Sequence, residues 1–351
     1  MSKEAAAPPA GEDGKSEAAS TIRGATQVEI AIDVKADNPS EKEDYGRERI
    51  DKETLAALKT RSDALGLLQF FSHLGWIAVT GTGVWMVRDS LAVWPAMLLH
   101  GIGIVYLFAG LHETVHRTPF ASRWLNDWVA RFCGTAVGLG AEFFRSFHFA
   151  HHRYTQVPGH DPEIDVKNID TLGGYLYYMS GISYWLRSGS GLVRSALGKI
   201  DAPFIAPRVE PMVIREARWM LAFYALIAGV VLAGYTAPLL LWIVPMILAQ
   251  PMWRGWLMAE HTGCTNDTNI YANTRTTDTN PLMQFLLWQM PNHTAHHAYP
   301  GIPFHALGQT TKLLGNAVVV RERGYLAFHA RWLRQILSNT GGPGATPRTD
   351  G

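Results

Sequence analysis

Charged side chains vanish from three long stretches of the chain: residues 64–87, 92–111 and 219–253 carry none over 24, 20 and 35 positions. At 1.5 Å of rise per helical residue, about 20 apolar residues cross a hydrocarbon core of ~30 Å. The first two stretches therefore predict two membrane-crossing helices, joined by a tight turn around Arg88 and Asp89. The third is too long for one crossing, and a Gly-Tyr-Thr-Ala-Pro run at 234–238 offers a turn in its middle. It divides into spans at about 219–235 and 238–259, the second bent at Pro245 and Pro251. Residues 132–141 and 172–186 are apolar but too short to cross, and are expected at the interface or packed on the rest of the domain.

The remainder is polar. Residues 1–60, rich in Ala, Pro, Gly, Ser and mixed charge, predict a disordered tail with a short helix near 52–60, and 336–351 predict a second flexible tail. Between them lies one domain, 61–335. The first 25 residues hold no apolar core, so no signal peptide is expected. The link between the first two spans has Arg88 as its one basic residue and the link between the last two has none, whereas 117–218 holds twelve Lys and Arg. Basic residues accumulate on the cytoplasmic side, so that segment and both chain ends are expected there. The predicted fold is an all-α membrane protein with four transmembrane helices in two hairpins under a cytoplasmic helical cap. Net charge is +1, which leaves no nucleic-acid footprint, and two cysteines, Cys133 and Cys264, exclude a disulfide scaffold.

The chemistry lies in the histidines. Eight of the fourteen fall in three clusters: His112-Glu-Thr-Val-His116, His148-Phe-Ala-His151-His152 and His293-Thr-Ala-His296-His297. Residues three and four apart share a helix face, so each cluster aims two or three imidazoles at one point. With His261, which follows the fourth span, nine histidines lie on one side of the predicted membrane. Imidazole suits zinc, copper, iron and nickel, and a single zinc takes three or four ligands, so nine suit two ions. A ligating histidine usually donates its other N–H to an acceptor. Glu113, Asp161, Glu163, Asp165 and Glu260 are candidates for that part, with Asn292 as an amide alternative. His73 and His100 within spans, and His160, His305 and His329 elsewhere, lack cluster spacing and are expected to pack or hydrogen-bond.

Three other readings use the same residues. His112-Glu113-Thr-Val-His116 satisfies the H-E-x-x-H motif of zinc proteases, with Glu113 as general base, but leaves seven histidines without a role. Glu113-x-x-His116 matches half of the soluble carboxylate di-iron motif, whose second half is absent. A metal transporter would hold its ligands at mid-membrane on broken helices, whereas these lie outside the spans.

The three boxes resemble those of the membrane fatty-acid desaturases and related hydroxylases: H-x3/4-H, HxxHH and HxxHH around two membrane hairpins. HETVH, HFAHH and HTAHH match box for box, with 31 residues between the first two and the double span before the third. Flanking runs agree as well, among them His-His-Arg-Tyr-Thr-Gln at 151–156, Ala-Glu-His-Thr-Gly-Cys at 259–264 and Asn-Thr-Arg-Thr-Thr at 273–277. The resemblance covers about residues 60–335. It implies two iron ions held by the boxes and His261, with O2 as co-substrate, and introduction of a double bond into an aliphatic substrate lying in membrane lipid. A fatty-acyl lipid is the substrate type it favours. A small metabolite, such as an amino-acid derivative of the dihydrorhizobitoxine type, is the alternative, and hydroxylation uses the same ligands. Some members carry a fused cytochrome b5 domain with a His-Pro-Gly-Gly haem motif, which is absent here. Electrons are then expected from a separate ferredoxin, rubredoxin or cytochrome b5 with its reductase, at a bacterial inner membrane.

Overall fold

The structure, a computed structural model, describes residues 50–164 and 169–338. It is mostly helical, 70%, and its two strands among the described residues are three residues each, as the all-α expectation requires. The chain opens on α1 (Lys52–Leu58), where the Asp51 side chain accepts from the Thr54 amide as an N-cap. Ile50 and Leu58 are buried in the main core. These two apolar residues in a polar stretch dock α1 on that core. Ile336 is likewise buried. Residues 1–49 and 339–351, which hold most of both expected tails, lie outside the described residues.

The first predicted hairpin forms α2 (Asp63–Met86), then α3 (Val93–Val105) and α4 (Leu107–Val115), the last two almost continuous through Tyr106. Asp63–Met86 and Val93–Val115 are two helices long and apolar enough to cross a membrane. The first has 22% of its apolar window buried, with Leu68, Phe71, Val79 and Met86 all more than half exposed. A core helix of a soluble protein hides such residues, whereas this helix leaves them exposed.

Four helices separate the hairpins: α5 (Arg123–Val137), α6 (Ala141–Tyr154), α7 (Leu172–Met179) and α8 (Ile182–Ala196). The second apolar hairpin departs from its expected form. α9 (Glu210–Leu232) starts well before residue 219 and carries Arg215, Glu216 and Arg218 inside the helix. The expected fourth span is broken into a π-wound turn (Leu239–Ile243), α10 (Val244–Leu248) and α11 (Gln250–His261). Proline explains the pieces: Pro245 and Pro251 lack an N–H and occupy the first turns of α10 and α11.

The two hairpins lock together where their backbones meet. A Cβ on Gly101 of α3 would stand 2.0 Å from the Pro245 carbonyl oxygen, so nothing larger than glycine fits there. His100 Nε2 donates to the Leu241 carbonyl of the π-wound turn at 2.8 Å, and Thr80 lies 2.9 Å from its Nδ1. His73 Nε2 donates to the Gly103 carbonyl at 2.9 Å while its Nδ1 accepts from Trp288 at 3.1 Å. Both histidines hold helices together and stay away from the clusters.

The chain closes with α12 (Ile270–Asn273), β1 (Arg275–Thr277), α13 (Pro281–Leu286), α14 (His293–Ala298), α15 (Phe304–Leu314), β2 (Val320–Glu322) and α16 (Tyr325–Ser338). β1 and β2 pair in parallel, with Arg275 opposite Val320 and Thr277 opposite Glu322. From β1, Arg275 donates to the carbonyls of Ala259 and Thr262, closing the C-terminal end of α11. The Thr294 hydroxyl donates to the Thr274 carbonyl at 3.0 Å, tying α14 to the same segment.

Candidate metal centre

Seven of the nine histidines sit at the C-terminal end of a helix: His112 and His116 close α4, His151 and His152 lie in the last turn of α6, His261 ends α11, and His296 and His297 end α14, while His148 lies a turn earlier in α6 and His293 opens α14. Unsatisfied carbonyls make these ends partially negative, which favours a cation where they converge. The convergence is itself built. Gly138, in the left-handed conformation (φ 81°), ends α5 and lets α6 turn back. α6 has no cap of its own; Glu216 of α9 accepts from the Glu142 amide at 2.8 Å and supplies one. Asp127 accepts from Arg117 and Arg145, while Glu142 accepts from Arg131 and Arg145. That network fixes the end of α4, which carries the first box, against α6, which carries the second.

Eight of the nine histidines form two nests of four. His116, His148, His152 and His296 make one; His151, His261, His293 and His297 make the other; within each, the ligand nitrogens all lie within 4.8 Å of one another. His112 lies against the first nest, its ring 4.1 Å from that of His148 and 4.7 Å from that of His296. Nε2 atoms face each other at 2.8 Å (His148 and His116), 3.0 Å (His152 and His148) and 3.1 Å (His152 and His296) in the first nest. In the second the separations are 3.2 Å (His151 and His261), 3.1 Å (His261 and His293) and 3.1 Å (His297 and His293).

Metal–nitrogen bonds of 2.0–2.1 Å place neighbouring ligand atoms about 2.9 Å apart at right angles and about 3.4 Å apart in a tetrahedron. The observed separations match the edges of such polyhedra. Without a cation between them, lone pairs this close repel. The histidine nitrogens fit two metal ions, one per nest.

The outer nitrogens fix the tautomers of the second nest. His151 Nδ1 donates to Asp161 (2.9 and 3.1 Å), His261 Nδ1 to the Asn273 carbonyl (3.1 Å) and His297 Nδ1 to the Thr155 hydroxyl (3.2 Å). Thr155 is free to accept because its own proton goes to the His151 carbonyl at 2.8 Å. Each ring then turns an Nε2 lone pair inward, the form that binds metal. His293 Nδ1 stands 3.2 Å from Glu260 Oε1, at ion-pair distance but out of line for a hydrogen bond. Burial, followed by repulsion from neighbouring histidines, holds His148, His152, His293, His296 and His297 well below the ordinary imidazole pKa. His116 is pushed down to about 3 by burial and then by Arg145. The rings are thus neutral and ready to ligate at neutral pH.

The expected outer acceptors divide. Asp161 accepts from a ring nitrogen, whereas Glu260 stands beside one without a hydrogen bond to it. Glu163 instead reaches the metal-facing side, 3.5 Å from His151 Nε2, where a carboxylate adds to a ligand set. Glu113 accepts from the Thr118 hydroxyl at 2.5 Å rather than from a ring. The zinc-protease reading therefore finds its base tied to a threonine and its two ligands joined by seven more. Asn292 donates to the Gln289 carbonyl at 3.1 Å and braces the turn before α14. Asp165 lies outside the described residues. Thr155 and Asn273 were not anticipated. Thr155 could have been found as the residue four after His151, one turn on along the same face.

Beside the nests lies a cavity of about 370 Å³. His112, His148, His151, His293 and Glu163 form one part of its lining, and Phe108, Phe144, Phe147, Tyr184, Trp253 and Leu257 an apolar wall. An apolar-walled cavity thus opens onto the histidine nests.

The family model for fatty acid desaturase matches residues 89–335, which hold all nine histidines. The chain belongs to the fatty acid desaturase family. Members of this family are generally oxidoreductases, membrane-bound and typically di-iron. No curated protein matches the chain.

Proposed function

We propose that the protein is an O2-dependent di-iron membrane desaturase that introduces a C=C bond into an aliphatic, fatty-acyl-type substrate with electrons from a separate carrier. The observation that carries this reading is the pair of four-histidine nests beside one apolar cavity. When bound, two irons supply the redox chemistry that reduces O2 and oxidises a C–H bond. The reaction balances as one O2, two electrons, two protons and two hydrogens from neighbouring substrate carbons, giving an alkene and two waters.

The chain's own residues do the rest. His116, His148, His152 and His296 would hold one ion, with His112 beside them, and His151, His261, His293 and His297 the other. Asp161, Thr155 and the Asn273 carbonyl keep three rings in the ligating tautomer. Phe108, Phe144 and Trp253 keep water from the reacting carbons and align the substrate chain with the histidines. The reading also includes four spans, with α9 and the broken α10–α11 segment forming the second hairpin, and a histidine face directed to the cytoplasm of a bacterial cell. Ferredoxin, rubredoxin or cytochrome b5 with its reductase is the electron donor it calls for.

The test is His151→Ala in membranes supplied with O2, reductase and carrier. Loss of product with the protein still membrane-inserted is expected; product formation at the wild-type rate would sink the assignment.

A further inference from the structure

Arg254 is the one charged residue between positions 219 and 259, and it lines the cavity. It is 6% exposed. Its Nε and Nη2 are sealed from solvent and have no hydrogen-bond partner. Among the described residues no carboxylate lies within ion-pair distance of it. The other buried arginine differs: Arg275 is satisfied by two carbonyls, and half-buried Arg145 is paired with Glu142 and Asp127. What holds Arg254 is aromatic, with its Cζ 4.1 Å from the Trp253 ring and 4.4 Å from the Tyr184 ring. Stacking of this kind orients a guanidinium without using its N–H groups. A buried, oriented cation with unpartnered N–H groups beside a cavity suits an anionic ligand.

We propose that Arg254 binds the carboxylate of the substrate, so that this enzyme acts on a free aliphatic acid rather than on an ester. The claim rests on the desaturase reading of the same cavity and deepens it. α11 presents Arg254, Leu257 and Glu260 to the cavity, and His261 to the second nest. Arg254 and His261 are seven residues apart, about 10 Å along the axis at two turns. The carbon that meets the nests is then several bonds from the carboxylate. Arg187 of α8 lines the same cavity and adds a second cation, while the carboxylates of the lining, Glu163, Glu216 and Glu260, make no ion pair with Arg254. A guanidinium fork fits carboxylate or phosphate. The volume, about 370 Å³, is at the low end for small-molecule sites and favours the compact carboxylate over a two-chain phospholipid head.

The experiment uses the full chain in zwitterionic phosphatidylcholine nanodiscs and measures binding of radiolabelled butyrate, octanoate and hexadecanoate. The competitors are the corresponding methyl esters and glycerol phosphate, with phosphatidylglycerol discs as a further arm. At least one acid should bind, and should be displaced by itself at least about tenfold more effectively than by its ester, the usual scale for hydrogen bonds to a charged group. Arg254→Gln should lose at least about tenfold in affinity and Arg254→Lys less, both with unchanged metal content. Three results each overturn the proposal: no acid bound, equal competition by acid and ester, or wild-type affinity in Arg254→Gln. Displacement by glycerol phosphate or phosphatidylglycerol but not by carboxylates would assign the anion to phosphate and overturn it as well. If Arg254→Gln fails to insert, the acid–ester contrast in the wild type and Arg254→Lys decides. Metal is counted on the same samples: acid binding without metal would sink the desaturase reading and spare the carboxylate site, whereas two metals without acid binding would do the reverse.

Discussion

Asp161→Asn tests whether the second nest is held from outside. The Asp161 carboxylate is fully buried and accepts from His151 Nδ1, from the Gln156 amide at 2.8 Å and from the Glu163 amide at 2.9 Å. Asparagine keeps the shape but replaces one acceptor oxygen with an NH2 group. Both carboxylate oxygens already face an amide N–H, so whichever way the asparagine turns, one buried donor meets another donor. Leaving such a donor unpaired costs about 1–3 kcal/mol. The strain falls on a turn in which Gln156 already takes a left-handed conformation (φ 61°). For the metal, losing the partner of a ligating histidine weakens affinity roughly ten- to a hundredfold. The assay is a chelator titration of the purified protein, with metal per chain followed by elemental analysis. One of two ions should leave at a chelator concentration roughly ten- to a hundredfold lower than in the wild type. Release of both ions at wild-type chelator concentrations would refute the link between Asp161 and the site.

Three further outcomes follow from the same geometry. Thr155→Val removes the acceptor for His297 Nδ1 and should weaken the same ion roughly tenfold, read by the same titration. Gly101→Ala puts a Cβ 2.0 Å from the Pro245 carbonyl oxygen and should destabilise the helix pair by about 3 kcal/mol, seen as a lower unfolding temperature in nanodiscs; an unchanged temperature would mean that α3 and α10 are not in contact. In the metal-free protein, the buried histidines stay neutral in the folded state, with His116 down at about 3, while unfolded imidazole titrates near 6.5. The unfolded chain alone then takes up protons below pH ~6.5, so stability is full above that pH and falls as pH drops, by up to about 1.4 kcal/mol per unit per histidine. Denaturant midpoints that do not change between pH 7 and 5 would contradict the buried, neutral state.

Much of the centre was legible because helical spacing is a property of sequence. His148, His151 and His152 share a face of α6 whatever else the chain does, and the first hairpin was visible as two runs without charge. The second hairpin was harder. Charge marks where a side chain is polar, not where a helix starts, so α9 extends back through Arg215 and Arg218 to Glu210. Pro245 and Pro251 announced a bend, but the π-wound turn depends on the His100–Leu241 contact between distant segments. Partition of eight histidines into two nests was likewise out of reach, because each nest draws on three helices. His151 and His152 are neighbours in sequence yet belong to different nests. Of the outer partners, Thr155 follows His151 at helical spacing, whereas Asn273 acts through its backbone carbonyl, which no charge or spacing pattern marks. Arg254 was visible as the lone charge in a predicted span, and intramembrane charges call for a functional explanation.

The central claim is one metal ion in each nest. It is tested most directly by counting iron per chain in the wild type, His116→Ala and His261→Ala after iron-supplemented expression. About two ions are expected in the wild type and about one in each variant, because each substitution breaks a different nest. A single ion in the wild type, lost with His116 and unaffected by loss of His261, would contradict it.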